Sequence, residues 1–142
     1  QVELFEKSET YSPTSWNAWV NKELATSVPG AKSFILDFKE KYKGLIVFIS
    51  NRDASTIKAT RNNLESLGLL FEDDVFLLRK DKQDTKIVRR AEVLEGIGRM
   101  EIYGPKSVLA YFGDQIGDFP VDTSFVFSLN KFMFPNPMYG KW

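Results

Sequence analysis

The stretch LAYFGDQIGDF, residues 109–119, decides the reading of this chain. An apolar run from Val108 to Phe112 leads straight into Gly113-Asp114, and a second acid, Asp118, follows four residues later. A buried strand that ends in a Gly-Asp turn delivers its carboxylate to the carboxyl edge of a sheet, which is where open α/β sheets bind ligands. Two carboxylates there suit a hard cation such as Mg2+, which takes oxygen ligands and often bridges to a phosphate. Two Asp in a solvated loop would leave the same letters, so the stretch needs support from the rest of the chain.

Working outward, LIVFI at 45–49 and DVFLL at 74–78 are short, unbroken apolar runs, the pattern of strands buried on both faces. SVLAYF at 107–112 reads as a third strand and FVFSL at 125–129 as a fourth. Helical spacing fills the intervals. Ser12-Pro13 opens a first helix, with Trp16, Val20 and Leu24 on one face and Trp19 beside it, broken by Pro29-Gly30. Phe34, Ile35, Phe38 and Tyr42 mark a second that stops at Gly44. Asp53 caps a third, with Ile57, Arg61, Leu64 and Leu67 along one side and Gly68 at its end. A fourth starts near residue 85, with Ile87, Ala91, Leu94 and Ile97 as its inner face. Alternation of strand and helix argues for an α/β fold, a parallel sheet covered by helices.

The composition narrows the chemistry. With 142 residues the chain is one domain's worth, long enough to bury a core. Nineteen basic residues balance nineteen acidic ones, so no net field recruits nucleic acid or an anionic membrane. The chain has no cysteine, which removes disulfides, thiolate nucleophiles and Cys-zinc sites. It has no histidine either, which excludes Ser-His and Cys-His catalysis and His-ligated metals within it. Chemistry here must run on carboxylates, lysine, hydroxyls and oxygen-bound metal. No run reaches the length of a membrane span. Gln1 opens neither a signal peptide nor an initiator sequence, and the expectation is a piece of something longer.

Two further segments carry polar groups at the ends of elements. Ser50-Asn51-Arg52-Asp53 follows LIVFI directly, offering a hydroxyl and helix N-terminal N–H groups to an anion. Simple N-capping by Ser50 or Asp53 would account for part of it. LLRKDKQDTKIVRR at 77–90 gathers Arg79, Lys80, Lys82, Lys86, Arg89 and Arg90 around the start of a helix. Most of these read as a solvated cationic face, yet a lysine at that position can neutralise developing phosphoryl charge.

The order strand-Ser-Asn-Arg, then a lysine leading a helix, then strand-Gly-Asp-x-x-x-Asp, resembles motifs two, three and four of the haloacid dehalogenase superfamily. More narrowly, TSWNAWV, VPGAKSF, VFISNRD, LLRKDKQDTKIVR, FGDQIGDF and FPNPMYGKW resemble the class C non-specific acid phosphatases, bacterial exported enzymes typified by lipoprotein e. The likeness runs from about Tyr11 to Trp142. It implies a Rossmannoid parallel sheet with helices on both faces. It also implies a division into a cap-like helical segment with an entry helix at 1–44 and a core carrying motifs two to four at 45–142.

The resemblance further implies roles. Ser50 would hydrogen-bond a phosphate oxygen, with Asn51 and Arg52 shaping the loop. Lys86 best fits the motif-three lysine because IVRR follows it, and Lys82 is its rival because one extra residue separates KDK from Lys86. Asp114 would ligate Mg2+, with Asp118 a further or outer ligand. Trp16 and Tyr139 match aromatic positions facing the leaving group and would suit a nucleoside monophosphate, although a tryptophan on an amphipathic helix is as readily core. The resemblance implies an exported location, periplasm or outer-membrane lipoprotein; a homodimer is a possible assembly.

The chain also departs from the pattern. Gln115 stands where the family has Asn, and the stretch from Ala91 to Ser107 is longer than usual. Motif one, Asp-x-Asp-x-Thr, which carries nucleophile, general acid and a metal ligand, is absent from the 142 residues. The expectation is an N-terminal fragment that supplies it and stays associated, because a sheet without a central strand leaves backbone groups unpaired. The implied activity is Mg2+-dependent hydrolysis of phosphomonoesters through an aspartyl-phosphate. A non-catalytic phosphate- or nucleotide-binding module is the alternative. A two-component receiver domain fits poorly, since its acid cluster precedes its hydroxyl and lysine.

Overall fold

A computed structural model describes residues 12–134, and its first element is the one that Ser12-Pro13 announces. Helix α1 spans Pro13–Val20. The Ser12 hydroxyl accepts the Ser15 N–H at 3.0 Å and Ser15 Oγ accepts the Ser12 N–H at 3.0 Å, a reciprocal cap. The helix stops at Val20, well before Pro29-Gly30, and Leu24 is 74% exposed rather than on its face. The cause lies in two asparagines. Asn63 accepts the Ala25 N–H at 3.0 Å and donates to the Ala25 carbonyl at 2.9 Å, while Asn62 donates to Glu23, whose φ of 57° turns the chain. Side-chain amides of this kind offer the backbone a partner outside the helix.

The chain divides at Lys82/Gln83 into two units, each with its own pair of parallel strands. In the first unit α2 (Ala31–Tyr42) leaves through Lys43 in the left-handed region, one residue before the expected stop at Gly44. Strand β1 (Val47–Asp53) is followed by a 3-10 turn (Ala54–Thr56), α3 (Ile57–Ser66) and β2 (Val75–Arg79). Val47, Phe48, Ile49 and Ser50 pair in order with Val75, Phe76, Leu77 and Leu78. Phe48 and Phe76 stack across the ladder at 4.9 Å, the kind of cross-strand pair that fixes register.

The next partners are Asp53 and Arg79, so Asn51 and Arg52 bulge out of the pairing. Val75, Leu77 and Leu78 of β2 are buried, with Val20, Ala59 and Leu69 beside them among the core residues of this unit. β1 is only half-buried, short of the two-sided burial that LIVFI suggests, and among the described residues β2 is its one strand partner. The buried face of α3 is Ala59, Thr60 and Asn63, while Ile57 is exposed. Polar residues take that face because each has a partner: Thr60 holds Arg52 and Asn63 holds Ala25.

In the second unit α4 spans Lys86–Glu95, capped by Thr85, whose hydroxyl accepts the Val88 N–H at 3.3 Å. It ends at Gly96, where a φ of 66° and the backbone of Pro105 against the Cα leave room for glycine alone. A 3-10 turn (Gly98–Met100), β3 (Tyr111–Gly113), a 3-10 turn (Ile116–Asp118) and β4 (Lys131–Met133) follow. β3 and β4 are parallel, and Phe112 stacks on its register partner Phe132 at 5.0 Å.

Three expectations are corrected in this unit. The strand at 107–112 contracts to 111–113, and the fourth strand is 131–133 rather than 125–129. Residues 125–129 instead form a turn, in which Asn130 Oδ1 accepts the Val126 N–H at 2.6 Å and the Val126 carbonyl accepts from Lys131 at 3.1 Å. The expected inner face of α4 is also wrong: Ile87, Leu94 and Ile97 are 71%, 48% and 50% exposed, and the buried residues of the helix are Arg89 and Val93. Hydropathy spacing misses this because the buried guanidinium brings its own counter-charge.

Candidate active site

The residues that point to phosphate chemistry fall into one cluster in each unit. In the first, the bulge at the end of β1 sets the geometry. Ser50 is half-buried and its Oγ accepts the Arg52 N–H at 3.2 Å, folding the Ser50-Asn51-Arg52 segment on itself. Asn51 is exposed. Arg52 is half-buried, donates from Nη1 to Thr60 Oγ1 at 3.1 Å, and places its guanidinium 6.0 Å from the centre of the Trp19 ring. Trp19 in turn stacks on Trp16 with ring centres 5.2 Å apart and planes at 21°. Trp16, Trp19 and Arg52 therefore form a continuous stack leading into the Ser50 loop. Trp19 and Thr60 had no functional role in the sequence reading, because only the fold brings them to Arg52.

Asp53 does not reach α3 directly. It caps the intervening 3-10 turn, accepting from the Ser55 hydroxyl at 2.6 Å and the Ser55 N–H at 2.9 Å. The Ser55 hydroxyl, and after it the backbone N–H, hold the Asp53 carboxyl below its ordinary pKa. This residue is a cap, as the alternative reading of the segment had it.

In the second unit Lys86 is the first residue of α4, and its ammonium is ion-paired with Asp118 Oδ1. The other oxygen of Asp118 accepts the backbone N–H groups of Asp114 at 2.9 Å and Gln115 at 3.2 Å. Asp118 thus ties the helix start to the Gly113-Asp114-Gln115 turn, with both carboxylate oxygens held by donors of the chain. Arg90, one turn further along α4, donates from Nη1 to the carbonyls of Gly117 at 3.3 Å and Asp118 at 3.1 Å. Burial lowers the Arg90 pKa, with Tyr111 and Asp118 opposing that shift. Lys82, the rival to Lys86, is exposed. The cationic run is therefore only partly a solvated face: Arg89 is fully buried and Arg90 is anchored.

Gly113 is a packing requirement. A Cβ there would fall within 2.7 Å of Asp118 Oδ2 and closer still to the Asp118 Cβ. Gly113→Ala is expected to push Asp118 off the 114–115 amides and to cost about 1–3 kcal/mol, the scale of overpacking a tight contact. Chemical denaturation of variant and parent measures this, and equal midpoints would show that Asp118 moves aside freely.

Asp114 is half-buried on the turn directly after β3, where its carboxylate offers the hard oxygen donor that Mg2+ takes. Among the described residues no group of three or more acids is gathered in the manner of a self-contained metal cage. Mg2+ commonly binds through one or two carboxylates plus phosphate and water, so a single well-placed Asp fits the ion. Tyr139 lies outside the described residues. A depression of about 550 Å3 lined by Leu36, Lys39, Phe71 and Asp73 is formed by none of the candidate site residues.

Against known proteins, a family model described as HAD superfamily, subfamily IIIB (Acid phosphatase) matches residues 1–142. No curated protein matches the chain.

Proposed function

We propose a mechanism and a substrate class for this chain from the premise that it belongs to the HAD superfamily, subfamily IIIB acid phosphatases. The protein is accordingly a phosphatase of phosphomonoesters, and the finer reading is a Mg2+-dependent enzyme that accepts nucleoside monophosphates among its substrates. The observation that carries the reading is the Lys86-Asp118-Asp114 linkage, which fixes a lysine and a Gly-Asp turn to each other through one carboxylate.

On this reading Ser50 donates its hydroxyl proton to a phosphate oxygen, and the bulged Asn51-Arg52 segment shapes the loop around it. Lys86 sets a positive charge on the oxygens that gain negative charge as phosphorus is attacked. Asp114 holds Mg2+, which when bound neutralises phosphate oxygens and helps orient the ester. Asp118 positions Lys86 and the Asp114 turn and would stand as an outer ligand of the ion that Asp114 would hold. Trp16, stacked on Trp19, and Tyr139 are the aromatic residues that the family resemblance assigns to a leaving group such as a nucleoside. Residues 1–44 serve as a cap-like segment and 45–142 carry the motifs.

The attacking carboxylate comes from an Asp-x-Asp-x-Thr segment outside these 142 residues, which contain no such sequence. One Asp of that segment attacks phosphorus, forming an O–P bond as the ester O–P bond breaks. The second gives the leaving oxygen its proton and later takes one from water, whose oxygen bonds to phosphorus as the aspartyl O–P bond breaks, releasing phosphate and restoring the first carboxylate. The half-buried state of β1, with β2 as its one strand partner among the described residues, supports a further strand entering beside it.

The test is complementation. The 142-residue chain, mixed with a fragment carrying Asp-x-Asp-x-Thr after an apolar strand, should hydrolyse p-nitrophenyl phosphate in Mg2+ and stop in EDTA. Each part alone should be inactive. Binding of phosphate by the mixture without turnover would leave the chain a non-catalytic anion-binding module.

A further inference from the structure

Asp84 precedes the cap residue Thr85 and is buried, at 7% exposure. Its carboxylate receives Arg99 in a forked pair, Nη1 to Oδ2 at 3.0 Å and Nη2 to Oδ1 at 2.9 Å. Oδ1 also lies 3.3 Å from Nε of Arg89, whose side chain is wholly buried. Arg89 donates from Nη2 to the Asp84 carbonyl at 3.1 Å and from Nε to the Thr85 carbonyl at 3.2 Å. One guanidinium therefore grips the backbone of both residues that lead into α4. Arg99 closes the group on Glu92, Nε to Oε2 at 2.7 Å and Nη2 to Oε1 at 3.0 Å. Glu92 first, and Asp84 with it, hold the Arg99 guanidinium above its ordinary pKa against the opposing effect of burial.

Stability alone does not explain this arrangement. A cation in the first turn of a helix opposes the helix dipole. Buried ion groups are often matched or bettered by apolar side chains of similar volume. What the two arginines and two carboxylates supply is geometry. They fix the backbone of Asp84 and Thr85, and the next residue is Lys86, whose ammonium must reach Asp118.

We propose that Asp84 is a positioning residue for the phosphatase reaction: it locks Arg89 and Arg99 around the start of α4 so that Lys86 is delivered to Asp118. The proposal rests on the reading of Lys86 given above. Asp84 does not touch substrate, and its effect passes through one lysine.

That last property supplies the test. In the active protein with its Asp-x-Asp-x-Thr segment, kcat and KM for p-nitrophenyl phosphate are measured for Asp84→Asn, Lys86→Ala and the double variant. Asp84→Asn should lower kcat by about tenfold to a hundredfold, the scale of misplacing a catalytic group by an ångström, with little change in KM. In the Lys86→Ala background the same change should cost almost nothing, because residues that act through each other are not additive. An equal fold-loss in both backgrounds would make Asp84 a purely structural residue and overturn the proposal. If Lys86→Ala alone leaves kcat intact, the functional reading of Lys86 fails first, and the proposal with it. Should Asp84→Asn lose its circular dichroism signature, Arg99→Lys, which keeps the charge and removes the fork, takes its place in the same cycle.

Discussion

Lys86→Ala should lower turnover by about two orders of magnitude, the scale of removing one preorganised charge from a developing oxyanion. The loss should appear in kcat and equally in kcat/KM, because the lysine is needed where charge grows. Lys82→Ala should be close to silent. The letters KDKQDTK left the two lysines as rivals, and the structure separates them physically. Lys86 begins α4 and is paired with a carboxylate that is itself bound to the Asp114 turn, whereas Lys82 is exposed before the helix starts. A matched set of steady-state measurements on both variants decides the point. A large effect at position 82 with a small one at 86 would move the motif-three role to Lys82.

Asp114→Asn should nearly abolish turnover and remove its dependence on Mg2+. The substitution keeps the backbone N–H that Asp118 accepts, so the turn retains its anchor and the change isolates the carboxylate charge. An ion held by few protein ligands loses much of its affinity when one anionic ligand becomes neutral. Titrating Mg2+ against activity, with circular dichroism to confirm the fold, separates metal loss from misfolding. Parental activity with an unaltered Mg2+ titration would remove Asp114 from the metal site.

How much of this was legible in the letters differs by element. The helix start at Ser12-Pro13 and the strand DVFLL could be read directly, because capping chemistry and an unbroken apolar run are local signals. The length of the first helix could not, since its end is set by Asn62 and Asn63 from α3, far away in sequence. The inner face of α4 was misread for a related reason. Hydropathy assigns arginine to solvent, and the buried Arg89 is matched by the Asp84 carboxylate and by the carbonyls of Asp84 and Thr85. FVFSL has the composition of a strand, yet Asn130 and Lys131 draw its backbone into a turn. Ser50, Arg52, Lys86 and Asp114 stood out by residue type and position. Thr60 and Trp19, which engage Arg52, carried no comparable local sign.

The bulge at Asn51-Arg52 has an evolutionary consequence. Residues inside a parallel ladder are bound to period-two alternation, so a change in one is judged by its fit to the sheet. Ser50 pairs with Leu78 and Asp53 with Arg79, and the two positions between them escape that judgement. On the role proposed for this loop, recognition can therefore drift at the exposed position 51 while the pairing of β1 with β2 stays constant. A randomised library at position 51, whose side chain is exposed, should yield folded proteins at high frequency, whereas position 52 must keep a partner for the buried Thr60; selection of the position-51 library on different phosphate esters would then sort it by preference. The same library at Phe48 and Ile49 would be culled by folding before any substrate was offered.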